Sequence, residues 1–132
     1  MKKEILILWR LPETKYDYEK YNLIINYFSK KLYSVKSPID TKKFKWNDKE
    51  RFKRAVEFVK NADMIIAEMT EVSTGQWIEI WIAYELNIPI FVIAKEWAKI
   101  SGLIKWNPNL SEIIYFKDLE DLNKNLDNIN YK

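Results

Sequence analysis

The 132-residue chain has no cysteine and no histidine, and only two glycines. The missing cysteine removes disulfides and thiol nucleophiles. The missing histidine removes imidazole metal sites and every His-based triad. Zinc fingers go with both. Two glycines are too few for a GxGxxG fingerprint, and at positions 75 and 102 they are too far apart for a P-loop. No apolar run approaches the roughly 18 residues of a membrane span. No metal and no cofactor is expected. Any chemistry falls to Asp, Glu, Lys, Arg, Tyr or Ser. A chain without cysteine fits a reducing compartment, so the cytoplasm is the expected location.

The length suits one domain, residues 1–132. Hydrophobic residues make up 48% and charged residues 31% of the chain, a globular balance. The N-terminal MKKEILILWR has a short apolar run but no small-residue cleavage site, and reads as a first strand rather than a signal peptide. Net charge is +3, too modest to argue for nucleic acid. It is uneven: residues 1–60 carry 16 Lys/Arg against 8 Asp/Glu, and the rest 6 against 11. A solvated basic helix face accounts for that more simply than a polyanion site does. Aromatic residues reach 15%, with six tryptophans and eight tyrosines. A chain this size has limited interior, so some of them belong to an interface.

Apolar runs alternate with helical periodicity. Strands are expected at Glu4 to Trp9, Leu32 to Val35, Asp63 to Met69, Ile88 to Ala94 and Ile113 to Phe116. Helices are expected from Tyr18 to Leu32, from an Asn47 cap to Asn61, from Ser73 to Leu86, from Ala98 to Ile104 and from Leu119 to Asn128. Asn47 and Glu50 have capping-box spacing, as do Ser73 and Gln76. Ser37 to Trp46 is a Pro-containing connection. Alternation of this kind predicts a three-layer α/β domain with helices on both faces of a parallel sheet. A flavodoxin-like five-stranded order, 2-1-3-4-5, places a crevice between strands one and three at their carboxyl ends. Trp9 and Arg10, Glu68 to Ser73, and the start of the Ser73 helix would line it.

Ser73 to Leu86, STGQWIEIWIAYEL, is the stretch with most chemical content. It is apolar enough to predict burial on most sides. Glu79 and Glu85 interrupt it, and a buried carboxylate is costly unless paired, hydrogen-bonded or useful. Glu79 lies near the helix start, where the dipole favours negative charge. Its plain structural alternative is an ion pair with Arg10 or Arg54. Glu68, at a strand end, is a second candidate acid, and Arg10 a candidate anion clamp.

The segment ADMIIAEMTEVSTGQWIEIWIAYELNIPIFVI, Ala62 to Ile93, resembles the nucleoside 2-deoxyribosyltransferase family, including its deoxynucleoside monophosphate N-glycosidase branch. The likeness rests on the ADxxxAE strand, the Ser73–Gly75–Glu79 spacing, the ELxxPI approach to the next strand, and Ser101-Gly102-Leu103-Ile104 further on. It implies that Glu79 attacks C1′ of a deoxynucleoside or its 5′-phosphate, and that the sugar passes to water or a second base. It also implies that Ser73, and Ser101 from a neighbouring subunit, contact the 5′-phosphate, and that the chain is a homodimer or larger. The chain departs from that family in three places. An Arg-Asp pair becomes Arg54-Ala55. A glycine turn after the first strand becomes Leu8-Trp9-Arg10-Leu11. The small residues flanking the Glu become Trp77 and Trp81, expected either in packing or filling the base pocket. Two other readings stay open. One is a nucleotide-binding or scaffold protein that has lost catalysis. The other is a TIR-like NAD-cleaving domain, from the WxxxE spacing of Trp81 and Glu85.

Overall fold

The computed structural model describes residues 2–37, 47–129 and 131. Five strands, β1 (Glu4–Leu8), β2 (Ser34–Lys36), β3 (Met64–Glu68), β4 (Ile90–Lys95) and β5 (Leu110–Phe116), form one sheet. Its order is β2-β1-β3-β4-β5, and every pairing is parallel. This is the expected flavodoxin-like order. It exists because each crossover carries a helix: α1 (Lys15–Lys30), α2 (Asp48–Asn61), α3 (Thr74–Glu85) and the short α4 (Gly102–Lys105). The last helix, α5 (Leu119–Asp127), follows β5.

Strand alternation splits the core in two. Ile5, Ile7, Trp9, Met64, Ile66, Phe91 and Ile93 face α1 and α5. Leu6, Leu8, Ile65, Ala67, Val92 and Ala94 face the other way, with Val59 of α2, Ile80 and Ala83 of α3, and Ile104 of α4. Each central strand is therefore apolar on both faces, which is why the runs read as continuous rather than alternating.

Several boundaries differ from the sequence expectation. Helix α1 starts at Lys15, because Thr14 and Asp17 form a full capping box there. Leu32 is not in a strand; it turns the chain at φ 66°, and β2 begins at Ser34. Asn47 caps α2 by accepting from the Glu50 N–H. Strand β5 begins at Leu110, and α4 is one turn capped by Ser101. The connection read from Ser37 to Trp46 lies, beyond Ser37, outside the described residues. The largest correction concerns α3. Only Gln76, Ile80 and Ala83 are buried on it, while Trp77, Ile78, Trp81 and Tyr84 are exposed. A helix in an outer layer offers the sheet one stripe, however apolar the rest of its surface.

Candidate active site

The strand order reverses between β1 and β3, and α3 starts beside that point. Ser73 caps the helix, and Gln76 closes the capping box by accepting from the Ser73 N–H at 2.8 Å. Gln76 is 1% exposed. Its amide also donates to the Glu68 carbonyl at 2.8 Å and the Leu8 carbonyl at 3.4 Å. These carbonyls end β3 and β1, so one side chain bolts the mouth of α3 to both strands at the crevice. The sequence showed the capping spacing; only the fold shows the second task.

One turn further along α3 stands Glu79. The position a Cβ would take on Gly75 lies 3.7 Å from Glu79 Oε1 and 4.0 Å from Ser73 Oγ. The glycine keeps the space between hydroxyl and carboxylate clear, which is the i, i+4 geometry of a helix face. Glu79 borders a cavity of about 790 Å³ between α2 and α3. Arg51, Phe52, Arg54 and Ala55 form its α2 wall, Gly75, Ile78 and Ile82 the α3 wall, and Leu6 lies beneath. Burial pushes the Glu79 carboxyl up to about 7, with no other contribution. No ion pair to Glu79 forms among the described residues. Arg10 pairs instead with Glu13, Asp17 and Glu71, and Arg54 with Glu57. Among the described residues no ion pair offsets the desolvation cost of this carboxylate, a condition common at reactive sites.

The remaining candidates lie elsewhere. Glu68 points to the α1 side of the sheet, because its neighbour Ala67 points to the α2 side. It ion-pairs with Lys20 at 2.8 Å and accepts from the Thr70 N–H at 2.9 Å and the Thr70 hydroxyl. The sheet separates it from Glu79. Arg10 lies with Glu68 and Lys20 along a smaller cleft of about 230 Å³. Trp9 is buried and stacks on Tyr21 at 3.9 Å between ring centroids. Its indole N–H has no hydrogen-bond partner among the described residues, and the ring does not line the Glu79 cavity. Ser101 caps α4 through the Leu103 N–H and does not line that cavity within this chain. Trp77 and Trp81 line a third hollow with Leu103 and Trp106 and do not line the Glu79 cavity. Trp81 and Glu85, the WxxxE pair, are both exposed on α3.

The structure thus brings together Ser73, Gly75 and Glu79, and adds Arg51, Phe52 and Asp48 from α2. The α2 contributors share a stripe with Ala55, at spacings of three and four residues. Among the described residues no cluster of acidic side chains could hold a metal ion.

Fold and site define a three-layer α/β protein with a desolvated carboxylate lining a cavity between α2 and α3; the expected crevice residues Trp9, Arg10 and Glu68 to Ser73 do not line that cavity. No protein-family model matches the chain, and no curated protein matches it. Solved structures do. A CMP N-glycosidase of Clostridium botulinum superposes with a TM-score of 0.78 at 19% identity, covering 96% of this chain and 100% of that one. A 2-deoxyribosyltransferase of Bacillus psychrosaccharolyticus superposes with a TM-score of 0.74 at 18% identity, covering 97% and 93%. A conserved protein of Enterococcus faecalis gives 0.68 at 14% identity, covering 97% and 99%. The chain shares the fold of these proteins along essentially its whole length. Two of the three are the kinds of enzyme that Ala62 to Ile93 resembles.

Proposed function

We propose that the chain cleaves the N-glycosidic bond of a nucleoside or nucleotide, or transfers its 2-deoxyribosyl group, with Glu79 as nucleophile. The observation that carries this reading is the placement of Glu79: a desolvated carboxylate one turn from the Ser73–Gly75 helix mouth, beside a cavity of about 790 Å³. That volume is in the range of small-molecule sites. The shared fold with an N-glycosidase and a deoxyribosyltransferase supports it.

In this reading a carboxylate oxygen of Glu79 attacks C1′, and the C1′–N bond breaks. The sugar is held as an ester on Glu79, as in retaining glycosidases. Water, or the nitrogen of a second base, then attacks C1′ and frees the carboxylate. The first N–H groups of α3 face a 5′-phosphate, where helix dipole and free donors both favour an anion. Ser101 of a neighbouring subunit is the further phosphate contact. Attack requires the ionised form of Glu79. With the carboxyl at about 7 in the free protein, kcat/KM should rise about tenfold per pH unit up to that value and then level off.

The test is base release from nucleosides, 2′-deoxynucleosides and their 5′-monophosphates, followed by chromatography in wild type and Glu79→Gln. Release lost by a factor of about 10³ or more in the variant is the expected outcome. A folded wild type that releases no base from any substrate would sink the reading. It would leave a nucleotide-binding or scaffold protein. Nicotinamide release from NAD, measured alongside, tests the TIR-like alternative.

A further inference from the structure

The walls of the Glu79 cavity carry a consequence for which base can leave. When C1′–N breaks, the bonding electron pair goes to the base. The base then departs in one of two ways. An acid protonates it as it goes, or it leaves as an anion held by donors. Among the described residues, the ionisable side chains lining the cavity are Glu79, Asp48, Arg51 and Arg54. Glu79 is occupied as nucleophile. Asp48 is the first residue of α2, its side chain is 99% exposed, and it is paired with Arg51 at 3.4 Å. Glu68 is on the far side of the sheet. The two guanidiniums donate five N–H bonds each and cannot give up a proton near neutrality. Phe52 and Ala55 share their wall.

We propose that Arg51 and Arg54 receive the leaving base as an anion, which selects imide-type bases such as uracil or thymine over cytosine and adenine. The proposal rests on the glycosidic reading of this site. Loss of the C1′ bond leaves the uracil ring with a negative charge spread over N1 and the two carbonyl oxygens. Those oxygens are acceptors only, matched to donors that are only donors. Cytosine presents an amino group to the same guanidiniums, and its anion is far less stable. The charge balances. Carboxylate and substrate give a neutral ester and a base anion. Water then returns the carboxylate and a proton, and that proton neutralises the released base.

The experiment compares 2′-deoxyuridine, 2′-deoxycytidine and 5-fluoro-2′-deoxyuridine, each with and without its 5′-phosphate, in wild type, Arg51→Gln, Arg54→Gln and the double variant. Uracil should leave about 10- to 100-fold faster than cytosine, the worth of a charge-assisted hydrogen bond or two. The fluorinated base, a more stable anion, should leave faster still. The double variant should lose rate on the uracil substrates with and without phosphate alike, and its dependence on fluorine should steepen. Equal or faster release of cytosine, with no fluorine effect, overturns the proposal while leaving Glu79 chemistry intact. Loss confined to phosphorylated substrates overturns it too, by making the arginines phosphate ligands. No release of any base overturns the glycosidic reading itself. Free 5-fluorouracil then binding no more tightly to wild type than to the double variant, by calorimetry, removes the anion site as well.

Discussion

Glu79 is costly to the folded protein. In an unfolded chain its carboxyl ionises near its ordinary value of 4.5; in the fold, burial holds it near 7. Between those values the folded protein keeps a proton that the unfolded chain has given up. Stability therefore falls as pH rises through that window, and the full penalty is present above 7. Glu79→Gln removes the charge and keeps the shape. At pH 8 it should be more stable than wild type by about 2 kcal/mol. Near pH 4 the two should unfold together. Thermal unfolding by circular dichroism at both pH values checks this. A variant no more stable at pH 8 would mean that a charge partner compensates the carboxylate in solution. The sequence already marked Glu79 as an anomaly, because a carboxylate in an apolar helix is legible by composition. That it forms no ion pair among the described residues was not legible, because Arg10 and Arg54 were both available on paper.

At the scale of elements, α1 is tied to β3 by one buried ion pair, Lys20 to Glu68. Glu68 also gathers Thr70, whose hydroxyl accepts from the Lys95 N–H at 3.0 Å. Three elements thus meet at one carboxylate. Removing a single member of a buried pair strands the other charge. Lys20→Met should destabilise the protein by about 3–5 kcal/mol, read by urea denaturation. Adding Glu68→Leu should recover most of that loss. Base release by the folded fraction should persist in both variants, because the pair and Glu79 are on opposite faces of the sheet. Loss of turnover in folded protein would instead place Glu68 in the chemistry. The pair was invisible in the sequence: 48 residues separate its members, and Lys20 reads as one more surface lysine of a basic helix. The local devices were legible. Ser73 and Gln76 met as expected; the Thr14–Asp17 box fits the same spacing rule with Asp in place of Glu.

Across the whole molecule, the apolar surface of α3 that the sheet does not use continues onto α4. Trp81 is 61% exposed, Leu103 80% and Trp106 86%. Together with Trp77 and Tyr84 they form one aromatic face around a hollow of about 370 Å³. Contiguous exposed apolar surface of this kind marks an association site. We propose that a second copy of the chain covers it, bringing Ser101 of each copy toward the Ser73 region of the other. Wild type should sediment as a dimer at micromolar concentration, and Trp81→Glu with Trp106→Glu as a monomer. A monomeric wild type removes both the dimer and the role given to Ser101. The aromatic excess was plain in the composition. Its concentration on one face depended on which stripe of α3 turned inward.

While the strand order was an expectation for the fold class and the Ser73–Gly75–Glu79 set rested on the family resemblance, the sequence by itself determined the layer architecture, the Ser73–Gln76 cap and the anomaly of Glu79. These follow from local rules: apolar periodicity, cap chemistry, and residue spacing on one helix. Tertiary structure decided which charges face each other. Adjacent residues on β3 point to opposite sides of the sheet, so Glu68 was carried away from Glu79. Arg51 and Phe52, a domain layer away in sequence terms, were carried to it. A two-residue period sets the side of a sheet, but the partner on that side comes from another part of the chain.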